Sequence, residues 1–457
     1  PLRWWSGSAV PGSQVRGSSA TRFKPATRPT PTFRPWFVRL YRHARESVRV
    51  VFAVSATIWL AALPLVMYRY HLFSPIAVVL NPIVWIPIAA ALLSGFCVLL
   101  FGWLLPPFAQ VCGWLCNASL GLVEGLVEYA AGLKWGHYWT PGPPLWWVLA
   151  FYGGAAFYFA FLRGRIPARW GVASLAIWIA AGMASCDRHG SLPAHAGQKP
   201  LACTFLAIGH GGCTVLELPQ GQTILYDAGR MGLPGRANRG ISSFLWSRGI
   251  SHLDAVVLSH ADVDHYNALP ELLDRFSVGV VLVSPVMFDG QNEAVKALRQ
   301  VIRDRGIPIR EIYGGDQLQV QGTAQIEVLH PLRQCIPGSD NANSIVLRID
   351  YAGRTTLLPG DLEGQGLEDV LAEQPIDCDV LLAPHHGSIR SNPASMAAWC
   401  TPEWVVISGA NEGGDLAAEQ AFAAAGARVL HTAQSGAVRV SIDERRIEVR
   451  AWREQPW

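Results

Sequence analysis

Between Val50 and Ala184 the chain passes through one apolar stretch after another, each long enough to cross a bilayer as a helix, which takes about 20 mostly apolar residues. A soluble core does not need such runs in succession. With eighteen tryptophans among its 457 residues, this half reads as a membrane domain. The pattern predicts five crossings, at Val50 to Met67, Leu72 to Ala89, Ala90 to Leu105, Leu145 to Leu162 and Trp170 to Ala184. The domain is expected over 49–185, behind a polar, basic segment 1–48. Because the chain opens on Pro1 with a Pro/Ser/Arg-rich lead, it reads as a fragment or processed product.

Arg and Lys accumulate in cytoplasmic loops, and two loops here are basic: Arg22 to Arg49 and Arg163 to Arg169. Both are therefore expected inside a cytoplasmic (inner) membrane, which makes everything after Ser185 extracytoplasmic. Asn117, Glu124 and Glu128 recur at helical spacing between Val111 and Leu133, which predicts an interfacial helix on that outer side; a sixth crossing would invert one end. Net charge is only +3, too little to argue a nucleic-acid partner, and the nine cysteines show no CxxC and no disulfide framework.

After a Gly/Pro/His-rich linker, 186–199, strands and helices alternate through 200–457. Short strands are expected at Leu201 to Ile208, Thr214 to Leu218, Thr223 to Asp227 and Ala255 to Leu258, then at Gly279 to Ser284, Pro308 to Tyr313, Ala324 to Leu329, Ser344 to Asp350, Thr355 to Leu358 and Trp404 to Ser408. Helices are expected at Ile241 to Arg248, from Pro270, at Asn292 to Arg305, Ala394 to Trp399 and Leu416 to Ala425. Two sheets between helices account for this order, with strand ends gathered at one edge.

That edge carries the chemistry. His260, Asp262, Asp264 and His265 fall in six positions just beyond an apolar strand. Aspartate caps helices routinely, but capping does not call for two flanking histidines. Imidazole suits transition metals and carboxylate suits harder ions, so the mixture fits Zn²⁺, Mn²⁺ or Fe²⁺ rather than Cu⁺ or an iron-sulfur cluster. Other apolar strands end alike: Ile224 to Tyr226 delivers Asp227, Leu357 to Pro359 delivers Asp361, and Val380 to Ala383 delivers His385, His386 and Ser388. Asn341, Asn343 and Ser344 precede a further strand. Gathered together, these ends could hold two divalent ions about 3.5 to 4 Å apart, with Asp361 between them, for metal-assisted hydrolysis.

This order resembles the metallo-β-lactamase superfamily, with Asp227 in its first motif, His260-x-Asp-x-Asp-His265 in its second, Asp361 in its fourth and His385-His386-Gly387 in its fifth. The fold implied is a polytopic α-helical membrane domain followed by an α/β sandwich of αββα type. Adding Asn341-Ala-Asn-Ser344, Gly360-Asp-Leu-Glu363, His385-His-Gly-Ser388, Ile407-Ser-Gly409 and the run Tyr70 to Pro82, the chain is similar to the ComEC family of DNA-uptake proteins. The resemblance implies that His260, Asp262 and the bridging Asp361 hold one ion. Asp264, His265 and a histidine of the pair, His386 in preference to His385, hold the other. It makes Asp264, His265 and Asp361 the catalytic core, and Asp227 the acceptor that steadies a ligand. The carboxylate-rich set raises Mn²⁺ relative to Zn²⁺.

The chain departs from the family at Ala207-Ile-Gly209-His-Gly211-Gly212, where Asp-Val-Gly-Gln-Gly-Asp is usual, and at Asn411 to Leu416, where a His-Pro pair is common. His210 is a replacement polar group or a turn residue. Only Asn341 stands where the superfamily's third motif has a histidine. Partners implied by the resemblance are single-stranded DNA, the lipid bilayer and other DNA-uptake proteins. Arg236, Arg239 and Arg390, with Arg230, are the cations available to a phosphate backbone, although no Lys/Arg run or aromatic ladder announces nucleic acid. A surface hydrolase of another ester, such as phosphorylcholine, and a non-catalytic metal-binding transport module are the competing functions.

Overall fold

The computed structural model describes residues 36–162, 165, 167–186, 200–337, 339–409 and 416–457. Nearly all of the expected linker, the basic stretch before residue 36 and the departure at 411–415 lie outside them.

The first half is helical. α1 spans Trp36–Tyr70, α2 Ala77–Phe101, α3 Pro106–Ala131, α4 Leu145–Phe157 with a π-helical continuation Tyr158–Leu162, and α5 Ala168–Cys186. Among the described residues, three helices are long and apolar enough to cross a membrane: Trp36–Tyr70, Ala77–Phe101 and Leu145–Leu162. The crossings expected at Leu72 to Ala89 and Ala90 to Leu105 are one helix, because nothing between Ala89 and Ala91 breaks the turn. Leu72–Phe73 instead forms strand β1, paired antiparallel with β2, Tyr138–Trp139. The chain breaks at Leu105, where Pro106 opens α3 with its fixed φ and its missing N–H. α3 then returns along α2, with Cys116 Sγ 3.4 Å from the Ala91 carbonyl oxygen. The expected interfacial helix is thus the second arm of a helical hairpin.

The second half is a four-layer αββα sandwich. One sheet contains, in spatial order, β17 (Ile447–Ala451), β16 (Val438–Ile442), β3 (Leu201–Phe205), β4 (Thr214–Glu217), β5 (Thr223–Tyr226), β6 (His252–Leu258), β7 (Ser277–Val283) and β8 (Ile309–Glu311). The other runs β15 (Arg428–His431), β14 (Trp404–Ile407), β13 (Val380–Leu382), β12 (Arg354–Leu358), β11 (Val346–Tyr351), β10 (Gln325–His330), β9 (Gln317–Leu318). Between the sheets lies a core that includes Phe205, Leu216, Tyr226, Val257, Leu347, Leu358, Val406 and Val440. Alternation explains the sheet margin: β16, next to the edge strand β17, buries Val438, Val440 and Ile442 and leaves the residues between them partly exposed. Central strands such as β5 are buried throughout, as covered parallel strands must be.

Helices cover both outer faces. α6 (Gly235–Ser247) and α9 (Glu293–Asp304), with the single-turn helices α7 (Val263–Tyr266) and α8 (Leu269–Leu272), pack on the first sheet. α10 (Gly364–Ala372), α11 (Pro393–Cys400) and α12 (Leu416–Ala424) pack on the second. The helix expected from Pro270 is a single short turn, α8, and α6 begins six residues before Ile241. In each sheet four consecutive strands, β5 to β8 and β12 to β15, run parallel. Their carboxyl ends open on one edge, the usual place for a site in such sheets.

The two halves touch through aromatic rings. His71, before β1, stacks on Trp246 of α6 with centroids 4.4 Å apart, Trp139 of β2 lies parallel to the same indole at 6.1 Å, and the Arg275 guanidinium sits 4.5 Å over Trp139. The sandwich thus rests on the end of the helical half formed by the α1–α2 and α3–α4 connections.

Candidate metal centre

β5 ends at Tyr226, and Asp227 follows it in the left-handed region, φ 59°. Its Oδ1 accepts from the Ser259 backbone N–H at 2.7 Å, and its Oδ2 accepts from the Ser259 hydroxyl and from His265 Nδ1, each at 2.8 Å. β6 delivers His260, whose Nδ1 is 2.9 Å from Ser259 Oγ, and the turn of α7 carries Asp264 and His265. From the other sheet, Gly360 (φ 58°) bends the chain after β12, where a Cβ would come within 2.9 Å of Ser259 Cβ, and so aims Asp361 at the first sheet. Beyond β13, His385 and His386 both take positive φ, 48° and 54°, a conformation costly for non-glycine residues and one that clusters at functional sites. His386 Nδ1 donates to the Ser408 carbonyl at 2.9 Å, and His385 Nδ1 donates to Glu363 at 2.9 Å.

With every Nδ1 engaged, the opposite nitrogens converge. His265 Nε2 is 3.2 Å from Asp361 Oδ1, while His386 Nε2 is 3.4 Å from both Asp361 Oδ2 and Asp264 Oδ2. Asp361 thus turns one oxygen to each imidazole, the disposition a bridging carboxylate needs. The donors fall into two groups: His260, His265 and Asp361, and His210, Asp264 and His386. The Nε2 atoms of His260, His265 and His386 are buried and have no hydrogen-bond partner. Buried polar nitrogens are seldom left so, and three of them aimed at carboxylates, each fixed through its other nitrogen, suit divalent metal ions.

Electrostatics agree. Burial alone would depress His265, but Asp361 and Asp227 outweigh it and hold the imidazole well above its ordinary value. Burial would raise Asp361, yet His265 and His386 pull it well below the carboxylate range. Positive charge is favoured at this spot.

The structure brings most expected residues together and regroups them. His265 sits with His260 and Asp361, whereas the resemblance paired it with Asp264. Asp262 is half exposed at the rim, its Oδ2 3.4 Å from His260 Nε2, a contact that lowers its carboxyl against the opposing effect of burial. His386 is 8% exposed and faces two carboxylates; His385 is 24% exposed, and its Nε2 lies 3.8 Å from Asp361 Oδ2. Asn341 donates to Glu363 at 3.1 Å, so it supports the acid that orients His385. Ser344 Oγ is buried without a partner, and Ser388 Oγ accepts from the Arg390 N–H at 3.3 Å. Arg390 is exposed just beyond the histidines. Arg236 and Arg239 are exposed on α6, three residues apart on the helix. Glu363 and Ser408, quoted only as parts of motifs, prove to hold His385 and His386.

Residues 208–395 match the family model of the metallo-beta-lactamase superfamily, and residues 31–165 match that of the competence protein. The class is therefore a metallo-β-lactamase-fold domain carried on a competence-type membrane domain. Among curated relatives, ComE operon protein 3 of Bacillus subtilis is 37% identical over 166 residues, covering 36% of this chain and 21% of that protein. Competence protein ComA of Neisseria gonorrhoeae is 26% identical over 238 residues (50% and 31%), and Recombination protein 2 of Haemophilus influenzae 27% over 260 residues (55% and 30%). With the two matched domains in this order, the chain is similar to these competence proteins of the ComEC family. It spans between about a fifth and a third of the length of these relatives.

Proposed function

We propose that the chain is the membrane-anchored hydrolase part of a DNA-uptake machine, a metal-dependent nuclease or phosphodiesterase that degrades the strand not taken up while the membrane half helps pass the other inward. The observation that carries this reading is the convergence of three partnerless imidazole nitrogens on Asp361 and Asp264. The names of the relatives supply the uptake context. His260, His265 and Asp361 would hold one ion and Asp264 and His386 a second, with Mn²⁺ and Zn²⁺ as the candidate metals. Bound there, the ions would supply Lewis-acid polarisation of a phosphoryl oxygen. Asp227, Ser259 and Ser408 fix the ligand rings, and Glu363, steadied by Asn341, holds His385 at the open side, where it can meet a phosphate. Arg390, Arg236 and Arg239 offer charge to a phosphodiester backbone.

Docking supports one orientation. α1 carries Arg42, Arg45 and Arg49 toward its start, and the sandwich contacts the connection beyond its other end. Basic residues favour the cytoplasmic side. On this reading the hydrolase domain faces outward on an inner membrane, with α2 and α3 as paired arms. The deciding experiment is cleavage of single-stranded DNA by the detergent-solubilised chain, metal-stripped and reloaded with Mn²⁺ or Zn²⁺. Metal-dependent cutting supports the reading, and loaded protein that leaves DNA intact refutes it.

A further inference from the structure

We propose that His210 is a metal ligand, completing with Asp264 and His386 the donor set of the second ion. The proposal rests on the metal-dependent hydrolase reading above and deepens it. The His210 Nε2 atom lies 3.8 Å from Asp264 Oδ2, and its ring centroid is 4.6 Å from that of His386. A separation of 3.8 Å is too long for a hydrogen bond. It is close to the spacing of two donors sharing an ion, since ligands about 2.0 Å from a tetrahedral metal stand about 3.3 Å apart. His386 Nε2 and Asp264 Oδ2, at 3.4 Å, have that spacing too.

The turn bearing His210 is clamped to the site. The Ser408 hydroxyl donates to the Gly211 carbonyl at 2.8 Å, and the Gly212 N–H donates to the Asp264 carbonyl at 3.1 Å. The Met231 N–H donates to the carbonyl of His210 itself at 2.7 Å. Gly211 has φ +146°, and a Cβ there would lie 2.4 Å from the Gly229 carbonyl oxygen and 2.8 Å from that of Asp264. Only glycine lets the turn approach so closely. Ser408 is the common anchor: its carbonyl fixes His386 and its hydroxyl fixes the turn that presents His210. A solvated turn histidine needs no such placement. With His210 the second ion has two nitrogens and one carboxylate among these residues, which moves its preference from Mn²⁺ toward Zn²⁺.

The test is metal uptake, separate from catalysis. The full chain in detergent is stripped with a chelator and titrated with Zn²⁺ and, separately, Mn²⁺, with affinities from calorimetry and stoichiometry from elemental analysis. Wild type should take two Zn²⁺; His210→Ala should take the first as wild type does and the second about tenfold or more weakly. His210→Asp should recover Mn²⁺ binding at the second position more than Zn²⁺ binding. The half-exposed side chain can be truncated without opening the core, and matching melting curves of the metal-free proteins would establish that. If wild type and His210→Ala take up both ions alike, the proposal is overturned and the hydrolase reading stands. If wild type takes up none, both fall.

Discussion

The carboxylate of Asp227 and the imidazole of His265 form a buried pair, Oδ2 to Nδ1 at 2.8 Å, which leaves the Nε2 of His265 facing Asp361. Asp227→Asn keeps the shape but sets an amide against the ring N–H, removing both charge and orientation. Metal affinity should fall about 10- to 100-fold with the fold retained. Calorimetric titration of the stripped protein checks this, and unchanged affinity would assign Asp227 to folding alone.

Asp264→Ala combined with His265→Ala takes one donor from each of the two groups, and so should weaken both ions rather than empty a single site. Elemental analysis should show metal content near zero after dialysis, and hydrolysis should be lost. Full retention of one ion would restore the pairing of Asp264 with His265 that the resemblance implied.

Topology gives a third expectation. A reporter active only outside the cytoplasmic membrane should be active when fused after Trp457, and one active only in the cytoplasm should be silent. The reverse pattern would place the sandwich inside.

Arg236 and Arg239 bear on substrate. If both touch phosphates of a single strand, replacing them with alanine should lower the slope of log affinity against log salt by about 1.4, at about 0.7 per contact. Hydrolysis of bis-p-nitrophenyl phosphate, too small to reach α6, should be nearly unchanged. Equal losses on DNA and on the small ester would make the arginines structural.

His330 gives a pH dependence outside the metal site. It is 1% exposed, and its Nε2 donates to the Ala342 carbonyl at 2.8 Å. Burial, outweighing that bond, depresses its proton affinity. The unfolded chain takes up the proton near pH 6.5 and the folded chain only below that. Its stabilising contribution is therefore present above about 6.5 and is lost as pH falls through that value, by at most about 1.4 kcal/mol per pH unit. Melting temperatures at about pH 7.5 and 5.5 should differ less for His330→Gln than for wild type.

Much of the site was legible because a parallel strand buried on both faces is an unbroken apolar run, and the first polar residue beyond it marks the sheet edge. Asp227, His260, Asp361 and His386 all stand out this way. His210 does not, since what brings its turn to the centre is the hydroxyl of Ser408, which holds the Gly211 carbonyl from 197 residues away. The start of α6 was hidden by Gly235 and Gly240, whose low helix propensity is overridden by packing of Ala237 and Ile241. The split of α2 failed for the opposite reason: continuous apolarity says that a segment is buried or in lipid, but it does not say where a helix ends.

Each donor group draws two members from the edge of one sheet and one from the other: His260 and His265 with Asp361, His210 and Asp264 with His386. Neither layer of the sandwich possesses a complete set. Ions seated there would act as rivets between the layers, so the distance between the sheets and the reactivity of the centre become a single mechanical variable. A core substitution that removes no ligand, such as Leu358→Ala between the layers, would then register as a change in metal grip before it registered as unfolding.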